Sequence, residues 1–222
     1  MKPLDRYIHD HSTPEEPLLQ ALDRETHQRT VAPRMISGHL QGNLLQLLTK
    51  MMQPRRVLEI GTFTGYSALS IAAGLEEGSI LDTFEPDDEL EPMIRSYFDR
   101  SPHGSKIRLH IGSVLDAAPE LAAEAPFDLV FIDGDKREYP DYYRMLLGDK
   151  PFDETGPLVR EGSILLADNI LWYGKVAEPI ARGDRHTEAL VAFNRMVADD
   201  SRTENVILSL RDGLNLIRIK RL

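Results

Sequence analysis

The fold of this chain is decided by residues 56–65, which read Arg-Val-Leu-Glu-Ile-Gly-Thr-Phe-Thr-Gly. The first five residues form a short apolar run, which is typical of a buried strand. Gly61 permits a tight turn after this run, and Gly65 permits the chain to approach a ligand closely. A helical pattern over residues 66–74 follows. The stretch therefore predicts a strand, a glycine turn and a helix, and its spacing differs from the GxGxxG of dinucleotide-binding proteins.

The same alternation continues toward the C-terminus. Four more apolar runs predict strands, at residues 79–84, 106–111, 127–133 and 163–168. Helical patterns follow three of the five predicted strands, over residues 66–74, over residues 86–101 and up to about Leu147, which implies parallel βαβ units and a doubly wound α/β sheet. The ending differs, because residues 205–210 and 214–219 are joined across Arg-Asp-Gly and predict an antiparallel hairpin.

The chain upstream of the first strand is predicted to be helical. Thr13 is a residue type that caps helices, and Pro14 suits the first helical position, so a helix is expected to begin there. A second helix is expected over Gly38–Met52, where leucine and methionine form an apolar face that ends before Pro54. We expect one domain over residues 1–222, with a helical extension over 1–53 and a catalytic core over 55–222.

The composition excludes several classes of protein. The 222 residues contain 26 Lys+Arg against 36 Asp+Glu, a net charge of −10, which argues against broad binding to nucleic acid or anionic membranes. The absence of cysteine excludes disulfides, thiolate metal sites and a cysteine nucleophile. No apolar run approaches the ~18 residues of a membrane span, and the N-terminus is too polar for a signal peptide. A cytoplasmic protein is therefore expected.

Polar residues at the strand ends predict a ligand site, because open α/β sheets bind ligands beyond the carboxyl ends of their strands. Glu85 comes 24 residues after Gly61, a position from which an acid accepts the hydroxyls of a ribose. Ser113 and Val114 follow the third strand and would face an adenine ring. Together with the glycine turn they indicate an adenosine-type cofactor, although each alone would also fit an ordinary loop.

The fourth and fifth strands end in oxygen donors. Asp133 ends the fourth strand, and Asp168 and Asn169 stand at the end of the fifth. Since these ends share one edge of a parallel sheet, their side chains predict a site for a hard divalent cation. Mg²⁺ is the first expectation, with Ca²⁺, Mn²⁺ or Zn²⁺ as alternatives. For the Asp-Asn pair alone, an Asx turn or a helix cap would be the favoured explanation.

Three motifs resemble those of the cation-dependent O-methyltransferases, the group of catechol and caffeoyl-CoA O-methyltransferases and their bacterial relatives. The motifs are residues 58–67, residues 131–136 with Tyr139 and Tyr142, and residues 168–172, which read Asp-Asn-Ile-Leu-Trp and are the most specific. The resemblance extends from about Met35 to the C-terminus. It implies a Rossmann-like class I methyltransferase fold with a seven-stranded sheet whose last strand is antiparallel.

The resemblance also implies S-adenosylmethionine as the methyl donor and assigns roles to individual residues. The family's metal ligands fall on Asp133, Asp168 and Asn169, and its catalytic lysine falls on Lys136. Its cofactor contacts fall on Ser37, Glu59, Gly61, Thr62, Ser67, Glu85, Ser113, Val114, Asp133 and Asp135.

The chain departs from the family's pattern at two positions. Gly134 stands where the family usually has alanine, a mild change that should leave Asp133 in place. Tyr173 stands where plant relatives have an asparagine that helps to hold the substrate. Trp172 and Tyr173 are our candidates for the walls of the acceptor site, with ordinary packing beneath the loop as the alternative.

These observations predict an O-methyltransferase that acts on a phenolic or other vicinal-diol small molecule. A tRNA-modifying enzyme that methylates a hydroxylated uridine is an alternative, which the net charge of −10 disfavours. A non-catalytic module that binds the cofactor or a metal is another, which Lys136 beside a complete set of cation ligands disfavours. The apolar N-terminal helices would supply an interface for a homodimer.

Overall fold

The computed structural model describes residues 3–222. The strands are β1 (Arg56–Ile60), β2 (Ile80–Glu85), β3 (Ile107–Ile111), β4 (Phe127–Ile132), β5 (Val159–Asp168), β6 (Thr203–Leu208) and β7 (Leu214–Ile219). The α-helices are α1 (Pro3–Asp10), α2 (Pro17–Arg29), α3 (Gly38–Met52), α4 (Tyr66–Ala72), α5 (Glu91–Arg100), α6 (Ala118–Glu124), α7 (Tyr139–Leu147) and α8 (Arg185–Asp199).

The seven strands form a sheet in the order β3-β2-β1-β4-β5-β7-β6. Strand β4 pairs in parallel with β1 and β5, and β2 pairs in parallel with β3. Strand β7 runs antiparallel to both β5 and β6. The predicted fold class, a mostly parallel α/β sheet that ends in an antiparallel hairpin and carries added N-terminal helices, is confirmed.

The chain divides into two compact units, of which the first comprises the segment up to Pro54 and Thr62–Ile111. Leu22 of α2 and Leu45 of α3 are fully buried, and both helices contact α4. The hydroxyl of Thr26 on α2 donates to the hydroxyl of Thr64, the residue just before the Gly65 cap of α4, at 2.9 Å. Helices α2 and α3 therefore share a core with residues beyond β1.

The second unit comprises Arg55–Gly61 and Gly112–Leu222. Its central strands are apolar on both faces, as parallel strands covered by helices are, and Leu58 and Phe131 are fully buried. Gly61 ends β1 with φ 99°, and a Cβ atom there would lie 2.5 Å from the backbone oxygen of Asp133. Only glycine lets the chain leave β1 so close to the end of β4.

Helix α2 begins later than predicted. It starts at Pro17 with Glu16 as its N-cap residue, so the predicted start at Pro14 is wrong. The carbonyl oxygen of Thr13 instead accepts hydrogen bonds from the His39 ring at 2.6 Å and the Asn43 amide at 2.7 Å. Pro14 and Pro17 would both suit the first position of a helix. The contacts that α3 makes with Thr13 hold Pro14 outside the helix, so α2 begins at Pro17.

Helix α6 has no counterpart among the sequence predictions. Its seven residues include three alanines and only one large apolar side chain, so its periodicity is weak. Within residues 3–222, no helix is both long enough and apolar enough to cross a membrane.

Candidate active site

Two aspartates lie side by side at the carboxyl ends of β4 and β5. The parallel register pairs Ile132, the last residue of β4, with Ala167, so Asp133 and Asp168 are neighbours at the next position. Asn169 follows with φ 57°, a left-handed conformation that asparagine tolerates better than most residues. Its backbone N–H donates to Oδ1 of Asp168 at 2.8 Å. The three predicted cation ligands are thus brought to one edge of the sheet.

Lys136 supplies the positive charge beside Asp133. It opens a 3₁₀ turn over Lys136–Glu138, and its Nζ atom donates to Oδ1 of Asp133 at 2.6 Å. The side chain of Lys136 is 10% exposed and that of Asp133 is 15% exposed. The pair is largely shielded from water, which makes its attraction stronger than that of an exposed pair.

The surroundings of Asp133 are unfavourable for a negative charge. Its pKa is raised to about 6, chiefly by burial and also by the charge of Asp168, while the charge of Lys136 lowers it. A divalent cation held by the two aspartates would stabilise their negative charges, and carboxylate and amide oxygens are suitable donors for Mg²⁺. The described residues contain no cluster of three or more histidine or acidic side chains suited to a metal. The predicted cation set therefore depends on the Asn169 amide as its third donor.

Tyr139 belongs to the same cluster, and its role was not predicted from the sequence. Its hydroxyl accepts a hydrogen bond from Nζ of Lys136 at 2.8 Å and lies 2.9 Å from the backbone oxygen of Asp168. Burial raises the pKa of Tyr139 well above its ordinary value, and the charges of Asp133 and Asp168 add to this, so the hydroxyl keeps its proton. The only sequence signal was the place of Tyr139 in the motif that contains Lys136.

The segment after β5 is held by the turn of the β6–β7 hairpin. Trp172 and Tyr173 have φ angles of 46° and 57°, which bulky residues adopt rarely. The backbone N–H of Tyr173 donates to Oδ1 of Asp212 at 2.7 Å. The Trp172 ring stacks on His186 at 5.6 Å, while Tyr173 is 80% exposed. The contacts of Asp212 and His186 with this segment were not predicted from the sequence, because both residues lie elsewhere in the chain.

In the first unit, the carboxylate of Glu85 is fixed by backbone groups. One oxygen accepts the N–H of Phe63 at 2.6 Å and the other accepts the N–H of Asp87 at 3.0 Å. The pKa of Glu85 is raised by burial, although both backbone hydrogen bonds oppose the shift. Each oxygen retains a second lone pair that a ribose hydroxyl would use.

The other predicted cofactor residues of the first unit surround the glycine turn or precede α3. Thr62 donates its backbone N–H to the Phe84 oxygen at 3.0 Å. Ser67 on α4 and Ser37, just before α3, are both buried. Gly65 has φ 93°, and a Cβ atom there would lie 2.7 Å from the Phe98 ring. The requirement for glycine at position 65 is thus explained by packing within the unit.

The second unit holds the remaining predicted cofactor residues. Glu59 is fully buried on β1, and Val114 is buried after β3. Ser113 accepts the N–H of Leu115 at 3.2 Å. Asp135 caps the turn that carries Lys136, and its hydrogen bond with the Arg137 side chain lowers its pKa.

Comparisons with known proteins point to one family. A family profile described as O-methyltransferase matches residues 9–220. Catechol O-methyltransferase of Niastella koreensis is 31% identical over 98% of this chain and 96% of its own length. Caffeoyl-CoA O-methyltransferase of Populus kitakamiensis is 31% identical over 80% of this chain and 75% of its own length. The crystal structure of the O-methyltransferase TomG of Streptomyces achromogenes, in complex with SAM, has a TM-score of 0.86 and 27% identity over 98% and 96% of the two chains.

Proposed function

Because the chain belongs to the O-methyltransferase family and is an S-adenosylmethionine-dependent enzyme of the catechol and caffeoyl-CoA type, we propose that its acceptor is a catechol-like or other vicinal-diol small molecule, bound together with a divalent cation. The observation that carries the proposal is the cluster of Asp133, Lys136, Asp168 and Asn169 at one edge of the sheet.

The proposed donor site uses the residues named from the sequence. When bound, S-adenosylmethionine supplies a methyl group on a positively charged sulfur, which an acceptor oxygen can attack. Glu85 would accept the ribose hydroxyls, since its carboxylate is already fixed by two backbone N–H groups. Ser113 and Val114 would face the adenine, and the other cofactor roles follow the family's pattern: Ser37, Glu59, Gly61, Thr62, Ser67, Asp133 and Asp135.

The proposed acceptor site lies at the ends of β4 and β5. Asp133, Asp168 and Asn169 would hold the cation, which when bound lowers the pKa of a coordinated hydroxyl. In its neutral amine form, Lys136 would accept the proton of that hydroxyl at Nζ as a general base, and would pass it to solvent after transfer. The proton of the acceptor would go to Nζ of Lys136 as the O–CH₃ bond forms. The electron pair of the S–CH₃ bond would stay on sulfur, so the donor would leave as a neutral thioether and the positive charge would pass to the lysine.

Trp172 and Tyr173 are proposed to contact the acceptor ring. Their left-handed φ angles are maintained by the bond from Tyr173 to Asp212. Strained positions of this kind persist only where the surrounding structure holds them, and they are frequent at ligand sites. The exposed ring of Tyr173 offers a flat apolar surface to a planar phenol.

A methyl-transfer screen tests the proposal. Wild-type protein and labelled S-adenosylmethionine would be incubated with catechols, flavonoids, hydroxycinnamoyl thioesters and bulk tRNA, each with and without a chelator. We expect label in vicinal diols, a loss of transfer with chelator, and recovery with added Mg²⁺. Transfer that the chelator leaves unchanged would contradict cation dependence, and label confined to tRNA would establish the alternative substrate.

We also propose a homodimer. Apolar side chains of the N-terminal helices are exposed, including Leu4 at 67% and Tyr7 at 61% on α1 and Met51 at 75% on α3. A second copy of the chain would bury these apolar side chains, and exposed apolar patches of this kind are typical of protein–protein interfaces. Light scattering on the purified chain should give twice the monomer mass, and a monomer at high concentration would contradict the proposal. The cytoplasmic location stays a prediction for cell fractionation to test.

The single-domain organisation, with residues 1–53 as an extension of a core over 55–222, is likewise proposed. Its support is the shared core of the first unit, where the α2 residue Thr26 bonds to Thr64. One cooperative unfolding transition is expected by circular dichroism and calorimetry. Two separate transitions would contradict it.

A further inference from the structure

We propose that Tyr139 is a positioning residue, which holds Nζ of Lys136 at the site where the acceptor hydroxyl loses its proton. This inference rests on the proposed function and adds a residue to it. The Tyr139 hydroxyl lies 2.8 Å from Nζ of Lys136 and within 3.1 Å of two backbone oxygens, those of Ile132 and Asp168.

The hydrogen-bond roles of this hydroxyl follow from its chemistry. A phenol has one proton to donate and lone pairs with which to accept, whereas a lysine ammonium only donates. Toward the ammonium form of Lys136 the hydroxyl therefore accepts, and it gives its own proton to the backbone oxygen of Ile132 or Asp168. Because these oxygens can keep that proton when Nζ is a neutral amine, the lone pair of Nζ stays available for the proton of the acceptor. Those oxygens are at the ends of β4 and β5, so Tyr139 connects the flexible lysine to the rigid strands that carry the two aspartates.

The ring of Tyr139 is itself immobile. It is fully buried and packs edge-on against Phe193 of α8, with ring centroids 5.4 Å apart at 82°. Lysine, in contrast, has a long stem with several rotatable bonds. Without the hydroxyl, Asp133 alone would fix Nζ of Lys136, and would draw it toward the carboxylate that is to hold the cation. Misplacement of a reacting group by about 1 Å can cost about 100-fold in rate.

Tyr143 provides a matched control on the same helix. It is also fully buried, and its ring packs against the same Phe193 at 6.0 Å and 88°. Its hydroxyl donates to Asp200 at 3.1 Å instead of reaching Lys136. Tyr143→Phe therefore removes a comparable hydroxyl without touching the lysine.

The experiment compares Tyr139→Phe, Tyr143→Phe, Lys136→Ala and the double variant Tyr139→Phe/Lys136→Ala with the wild type. Turnover of a catechol is measured per cofactor-binding site titrated by calorimetry, so that unfolded protein does not imitate slow turnover. We expect Tyr139→Phe to lower kcat about 10- to 100-fold, with cofactor Kd and acceptor KM nearly unchanged. Tyr143→Phe should keep wild-type kcat. The double variant should be no slower than Lys136→Ala, because a residue that acts through Lys136 has no effect without it.

The outcomes separate this inference from the function on which it rests. If Lys136→Ala is inactive while Tyr139→Phe turns over like the wild type, the positioning role is wrong and the proposed function stands. If the losses of the two single variants multiply in the double variant, Tyr139 acts independently of Lys136 and the inference also fails. If the wild type methylates no diol, or Lys136→Ala keeps full activity, the proposed function fails and the inference fails with it.

Discussion

Glu85 and Asp133 are carboxylates at strand ends, the first buried and the second 15% exposed, and different groups hold them. The oxygens of Glu85 accept backbone N–H groups of Phe63 and Asp87, whereas Asp133 is paired with the charged side chain of Lys136. Backbone donors are fixed by the fold and carry no net charge, while a lysine is a full charge on a flexible stem. The first arrangement suits recognition of neutral hydroxyls, and the second suits chemistry in which charge and protons move.

This contrast leads us to expect that substitutions in the two places change different kinetic quantities. Substitutions near Asp133 should reduce turnover, and substitutions at Glu85 should reduce cofactor affinity. A variant near Asp133 that lowers cofactor affinity but leaves turnover unchanged would contradict this contrast, as would a Glu85 variant that lowers turnover but leaves affinity unchanged.

Asp168→Ala should have the largest effect. It removes one of the two carboxylates of the proposed cation set. The transition state would lose several kcal/mol of stabilisation, which corresponds to about a 10⁴-fold fall in kcat. The remaining activity should no longer respond to chelator or Mg²⁺. Turnover assays with a metal titration measure both effects, and calorimetry should show nearly unchanged cofactor binding. Retained, Mg²⁺-stimulated turnover would remove Asp168 from the cation set.

Lys136→Ala should lower kcat about 10³-fold, within the range observed for loss of a general base. Cofactor Kd should stay near the wild-type value, because the lysine bonds to Asp133 and Tyr139. Lys175→Ala is a suitable control, since Lys175 is half-exposed and pairs with Asp184 on the surface. A control variant as slow as Lys136→Ala would mean that loss of any lysine charge, rather than of this base, reduces turnover.

Glu85→Gln should act on binding instead. Charged hydrogen bonds contribute ~1.5–3 kcal/mol, so cofactor Kd should rise about 10-fold or more. At saturating cofactor, kcat should remain close to the wild-type value. Calorimetry and steady-state assays together give the two numbers. A variant with normal Kd and low kcat would place Glu85 with Asp133 in the reaction and would end the contrast.

The pH dependence of cofactor affinity should show the smallest effect. Burial raises the pKa of Glu85 in the folded chain, so the carboxyl takes up its proton at a higher pH than an ordinary glutamate. The protonated form accepts fewer hydrogen bonds. Affinity should therefore fall on mild acidification in the wild type, and should be flatter in Glu85→Gln when both are measured by calorimetry. Equal slopes would assign the dependence to another group.

Local sequence patterns located most elements of the fold. Helix α3 and strands β1 and β7 have the predicted bounds. These segments have strong apolar periods and clear end signals in glycine or proline, which depend only on residues within a few positions. The start of α2 was not predicted correctly, because side-chain hydrogen bonds from α3 determine it. Helix α6 was not predicted at all, because its apolar periodicity is weak.

Local patterns in the sequence were enough to predict the succession of strands along the chain, most of the helices, and the acids, amide and lysine at the strand ends, because these depend on near neighbours. How these groups are held depends on contacts between distant segments. Tyr139 reaches the Asp168 oxygen 29 residues away, and Asp212 reaches the Tyr173 N–H across 39 residues. Such bonds depend on how β4, β5 and the hairpin turn pack together, and a local pattern carries no record of a partner so far along the chain.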